Sequence, residues 1–156
     1  AFLRQQYELE MLHELLAGTT SSFYEEMLRR GIINVNFCSE VFAGRGFLTS
    51  MFGGESEDPA ALQQALLARI QEVREKGLDP ADFQCAKNAM YGRMVRGLND
   101  VENVATAMLN ARMSGVELFD TVEIAASVTL EDVERRLCQL TPDVMALSVI
   151  RPRSRG

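Results

Sequence analysis

The sequence predicts an α+β fold in which an antiparallel-rich sheet is covered by a layer of helices. Three observations carry that prediction. The spacing of apolar residues changes from helical to alternating at Gly31, so a helix runs into strand-forming residues there. Asp58-Pro59, Asp79-Pro80 and Asn99-Asp100 each open a helical pattern in the middle of the chain. Val144 to Ile150 is a nearly continuous apolar run, which suits a returning strand covered on both faces.

Taken in order, Phe2, Leu9, Leu12 and Leu16 recur at helical spacing between Phe2 and Ala17, with Arg4, Gln5, Glu8 and Glu14 mostly on other faces. Gly18 is expected to close this helix in the left-handed conformation. Ser22 and Glu25 have the spacing of a capping box for the next helix, which makes Gly18, Ser21 and Ser22 a joint. Phe23, Met27 and Ile32 share the apolar face of that second helix, and Gly31 ends it. Ile33 to Phe42 and Phe47 to Phe52 are then expected to form an antiparallel hairpin around Ala43-Gly44-Arg45-Gly46.

Asp58 and Asp79 are N-caps followed by proline at the first helical position, where the missing N–H costs nothing. The first of these helices has Leu62, Ala65, Leu66, Ile70 and Val73 inward and closes at Gly77; the second carries Phe83, Ala86, Met90 and Met94. A third, from Asn99-Asp100 to Gly115, is expected to turn Val101, Val104, Ala105, Met108 and Leu109 inward. A shorter helical stretch follows from Val116 to about Ser127. Thr129 and Asp132 cap the last helix, which Pro142-Asp143 breaks. Met90, Met94, Met108 and Met113 fall at helical spacing and are read as core fillers.

With 156 residues, 47% of them hydrophobic, the chain is expected to be a single half-domain able to build its own core. It starts at Ala1-Phe2-Leu3 with immediate helical periodicity, and is read as a piece of a longer chain. No apolar run approaches the ~20 residues needed to cross a bilayer, so no membrane partner is expected. A net charge of −6 argues against nucleic acid, and Arg151, Arg153 and Arg155 read as a solvated tail. Cys38, Cys85 and Cys138 are odd in number and far apart, which fits free thiols in a reducing, cytoplasmic setting. Cys85 and Cys138 are expected to act as small hydrophobes beside apolar neighbours.

The stretch Gly18-Thr19-Thr20-Ser21-Ser22, between one helix and a short helix that leads into a strand, resembles the second half-domain of the insulinase-like metallopeptidases, which include pitrilysin and the mitochondrial processing peptidases. Met27-Leu28-Arg29-Arg30-Gly31-Ile32-Ile33-Asn34-Val35-Asn36-Phe37-Cys38-Ser39-Glu40 is similar to the corresponding turn of a bacterial branch of that family. The order of the remaining elements follows the family almost to the end of the chain. The resemblance implies a processing-peptidase-like half-domain that lacks its first strand, the strand expected before Ala1. It also implies a partner half-domain, zinc-bearing or degenerate, a peptide substrate enclosed between the two, and homo-oligomers as a further form of association.

The family's zinc motif, His-x-x-Glu-His, is absent, and no zinc or other cofactor is expected in this chain. His13-Glu14 is followed by Ala17 where a second histidine would stand, and with one histidine a three-ligand catalytic site cannot be assembled. His13 is read as a surface or half-buried residue, and Glu8, Glu10, Glu14, Glu25 and Glu26 as solvated helix faces. Ser21 and Ser22 have no histidine base to activate them. In active relatives this half contributes an arginine and a tyrosine that hold the substrate carbonyl. Aligned on Gly31, those places hold Leu28 and Asn34, with Arg29 and Arg30 near enough to substitute, so Arg29, Arg30 and Asn34 are the substrate-contact candidates and no residue is read as catalytic. A domain of this kind that only binds other proteins is the alternative.

Overall fold

The computed structural model describes residues 2–44 and 46–151; Arg45, Arg153 and Arg155 of the segments read above lie outside the described residues. Among the described residues, six helices and a hairpin follow the first helix, α1 (Phe2–Ala17), which lies at the centre of the packing. It is followed by α2 (Ser22–Arg29), β1 (Cys38–Gly44), β2 (Phe47–Gly53), α3 (Pro59–Lys76), α4 (Pro80–Gly97), α5 (Val101–Met113), α6 (Leu118–Ala126) and α7 (Leu130–Leu137). Helix α1 packs on α2, α3, α4, α6, α7 and β1, and its Leu9, Met11, Leu12 and Leu16 lie in the centre of the core. A helix touched on so many sides buries more than its apolar stripe, and α1 buries Glu8 and His13 along with its leucines.

The helix starts follow the expected chemistry. Asp58, Asp79 and Asp100 each accept a hydrogen bond from the first turn they precede, and Thr129 with Asp132 forms a reciprocal capping box. β1 and β2 pair antiparallel with Val41 opposite Ser50 and Glu40 opposite Met51. Alternation sends Val41, Leu48 and Phe52 toward the core, while Phe42, Phe47 and Met51 stand exposed on the outer face.

Several expectations are corrected. Residues 33–37 are a turn and not the first half of a strand, because the Asn34 side chain accepts from the Asn36 N–H at 2.9 Å and the Phe37 N–H bonds back to the Asn34 carbonyl at 3.1 Å. This local Asx closure bends the chain before alternation can establish itself, and pairing begins at Cys38. The run Val144 to Ile150 is likewise not a strand. After a short 3-10 turn at Pro142–Val144 it pairs with nothing among the described residues, and Ile150 is 97% exposed, since an apolar run needs a neighbouring strand to bond to. The sheet described here therefore has two strands.

Helix α5 is rotated from the expected orientation, and of the residues expected inward only Val104 is half-buried. Ala111 is its one buried residue, and Val101, Met108 and Leu109 are exposed, together with Met113, so Met108 and Met113 are not core fillers. With small residues along the buried side, α5 can sit close to α6 while its larger side chains point out. Cys85 and Cys138 are also exposed and do not act as small core hydrophobes.

Glu8 is the largest departure from a solvated helix face, for its side chain is only 3% exposed. Its carboxylate accepts from Arg4 Nε at 3.3 Å and from Arg136 Nε, on α7, at 2.7 Å. Arg4 also reaches Asp132 and the Ser127 carbonyl, so one ion cluster joins α1 to the α6–α7 end of the molecule. Arg4 and the capping bonds from Thr129 hold the Asp132 carboxyl well below its usual range against the opposing effect of burial. Breaking the cluster at its buried member leaves Arg136 uncompensated. Glu8→Ala is expected to cost about 3 kcal/mol, whereas Arg135→Ala, at an exposed partner of Asp132, should cost well under about 1 kcal/mol. Urea unfolding of the two variants checks the contrast, and equal midpoints would contradict it.

Candidate functional site

The site suggested by the sequence is built on the joint between α1 and α2. Here the structure moves the cap by one residue. Ser21, in extended conformation, is the N-cap of α2: its hydroxyl accepts from the Tyr24 N–H at 3.1 Å, and its carbonyl accepts from Glu25. Ser22 is already the first helical residue, and Glu25 lies one position too far along to close a capping box with the serine that actually caps. Gly18 is required for space and not for a left-handed φ. A Cβ there would stand 2.5 Å from the Glu14 carbonyl oxygen. Gly31 does take the left-handed conformation, φ 68°, and the Ile32 N–H then folds back onto the Met27 carbonyl at 3.0 Å to finish α2.

Between this joint, α3 and α4 lies an open cleft of about 480 Å³, lined among others by Glu14, Ser21, Ser22, Arg69, Cys85 and Arg93. Two of its charges are paired: Arg93 lies 3.5 Å from Glu14, also in the lining, and Arg69 is 3.1 Å from Glu72, outside it. No histidine lines it, so its hydroxyls and its thiol have no imidazole base.

His13 is instead buried in the core, contrary to the surface or half-buried reading. Its ring centre lies 4.5 Å from that of Phe52 and its Nε2 has no hydrogen-bond partner. Burial pushes the imidazole down to about 4, so it is neutral at physiological pH. Among the described residues no group of three or more His, Cys, Asp and Glu side chains is placed to hold a metal ion.

The three substrate-contact candidates fall around the Gly31 turn but differ in availability. Asn34 donates to Glu55 at 2.6 Å as well as closing its own turn. Arg30 reaches back to Glu26 at 3.3 Å. Arg29 is exposed and forms no ion pair among the described residues. Sequence reasoning missed the Glu8 cluster and the Arg74 guanidinium, which donates to the carbonyls of Leu137, Cys138 and Leu140. A signal for the first was present: Glu8 stands about one turn before Leu12 and about two before Leu16 on the same stripe, a place where a carboxylate must find cations.

An α+β domain with no group of side chains placed to hold a metal among the described residues is thus the class of protein this fold and site define. The chain belongs to the family described as the Peptidase M16 inactive domain, whose model matches residues 3–90. It is 24% identical over 153 residues to the uncharacterized zinc protease YmfH of Bacillus subtilis, covering 97% of this chain and 36% of that protein. It therefore spans about a third of that relative's length. By fold it is similar to an M16-like peptidase from Alicyclobacillus acidocaldarius, with a TM-score of 0.81 and 22% identity over 86% of this chain and 33% of the other. The structure of the inactive peptidase domain assigned to a Bordetella parapertussis zinc protease matches with a TM-score of 0.71 and 18% identity, over 87% of this chain and 77% of that one. Membership of the inactive-domain family accounts for the missing zinc ligands.

Two outcomes follow from this geometry. Ser21→Ala should cost on the order of 1 kcal/mol and Ser22→Ala only a few tenths, which denaturation midpoints will show; the reverse order would return the cap to Ser22. Because the fold holds His13 neutral, its contribution is fully present above about pH 6.5 and is lost as pH falls toward about 4. The steepest loss is about 1.4 kcal/mol per pH unit. Glu10, whose carboxyl burial pushes up, works in the opposite direction as it protonates. Stability measured from pH 7 to 4 should fall less steeply in His13→Leu than in the natural chain, and parallel curves would show that His13 is not the titrating group.

Proposed function

We propose that the chain is the non-catalytic half of a zinc metalloendopeptidase, closing with a zinc-bearing half around a peptide substrate in a cytoplasmic, reducing setting. Members of the family pair this inactive domain with a peptidase half. The observation that carries the reading is the outer face of the hairpin, where Phe42, Phe47 and Met51 form an exposed apolar surface. Arg29 adds an exposed guanidinium at the end of α2, and Asn34 ties the turn that follows that helix to Glu55, just beyond β2. Such a surface suits an extended peptide: apolar side chains lie on the sheet while a guanidinium donates to a backbone carbonyl. The exposed thiols agree with a reducing compartment.

A second reading, an interaction domain in a protein with no proteolytic activity in either half, is favoured by the engagement of Asn34 with Glu55 at the place where active relatives carry a tyrosine. Upstream sequence separates the two, since His-x-x-Glu-His there belongs to the first and its absence to the second. In the complete protein, Arg29→Ala is expected to raise KM for a peptide about tenfold with zinc content unchanged, and Arg30→Ala to do less. Steady-state kinetics with parallel metal analysis is the measurement. An unaltered KM in Arg29→Ala would remove Arg29 from the substrate path.

A further inference from the structure

Helix α5 packs chiefly against α6 and turns its larger apolar residues to solvent. Val101 and Met113 are 84% and 77% exposed, and Met108 and Leu109 are more than half exposed. Val101, Ala105, Met108, Leu109 and Arg112 follow one another at helical spacing and lie on one exposed stripe, bordered on one side by the inward-turned Val104, Ala107 and Ala111. An apolar stripe four turns long, rimmed by charge, is the surface pattern of a helix that has a partner.

We propose that this stripe pairs two copies of the chain, α5 against α5, antiparallel about a twofold axis at the level of Ala107. The sequence of α5 is complementary to itself in that one arrangement. Val101 comes opposite Met113 of the second copy, and Ala105 opposite Leu109, so a small residue receives a large one. Glu102, in the first turn, comes opposite Arg112 in the last. The cap Asp100 and Glu102 make one end of the helix acidic, and Arg112 makes the other basic, so antiparallel pairing brings unlike ends together twice. A parallel pair would set like against like. Arg112 holds Glu117 of its own chain at 2.6 Å, but both are largely exposed and the guanidinium has donors left for a second carboxylate. The helix is about 20 Å long, which places the contact at the small end of specific interfaces and makes the dimer weak and concentration-dependent.

Sedimentation velocity over a concentration series tests the pairing on the natural chain and four variants, with circular dichroism confirming that each is folded. The natural chain should show a monomer–dimer equilibrium. Leu109→Glu should weaken it at least about tenfold, and Glu102→Arg or Arg112→Glu alone several-fold. The double variant Glu102→Arg with Arg112→Glu should return to within about threefold of the natural chain. A monomer at every concentration, a dimer indifferent to Leu109→Glu, or a double variant no better than its single parents would each overturn the proposal.

Discussion

A carboxylate in the middle of an apolar helix needs cations, and the rest of this molecule is arranged so that Glu8 has two. Arg4 comes from its own helix and Arg136 from α7, nearly the whole chain away. Burying a charge is tolerable only where partners and hydrogen bonds replace water, so the approach of α7 to α1 is constrained in direction as well as distance. Leucines alone would hold the two helices together but would accept several registers. The cluster extends through Asp132, which caps α7 and accepts from Arg4, so the start of α7 and its docking are set by the same side chain.

What could be read in the sequence was whatever depends on neighbours along the chain. The caps at Asp58, Asp79, Asp100 and Thr129, the end of α2 at Gly31 and the antiparallel pairing of the hairpin all rest on residues near one another in the chain. Ser21 shows how fine that reading becomes at its edge. Two serines stand side by side, and only the turn from Gly18, bonded from the Ser21 N–H to the Gly18 carbonyl at 2.8 Å, decides which one caps. Burial depends on distant partners, and there the same patterns mislead. The apolar residues of α5 have helical spacing whichever side they face, and the run from Val144 to Ile150 carries strand composition without a strand beside it. For His13 the chain offered no local sign that Phe52 would lie against its ring.

The candidate site divides in a similar way. The absence of the zinc motif was legible as a pattern, and the family of inactive domains gives it a place. Which of Arg29, Arg30 and Asn34 has capacity to spare was not, because it depends on where Glu26 and Glu55 sit. Three residues that look equivalent in the sequence have unequal hydrogen-bonding capacity once the turn is closed, and Arg29 is the one with most of it left.

The ion cluster also has a bearing on how the chain comes to be folded on a ribosome. Glu8 and Arg136 are separated by 128 positions, and so are Arg4 and Asp132. At ordinary elongation rates the second partner is made on the order of ten seconds after the first. Throughout that interval the hairpin and the α3–α4 pair can form from near neighbours, but α1 has a buried-type carboxylate and no α7 to receive it. Helix α1 is therefore made before the other helices described here yet is among the last of them to reach its final environment, and its Leu9, Leu12 and Leu16 remain a target for chaperones until synthesis has passed α7.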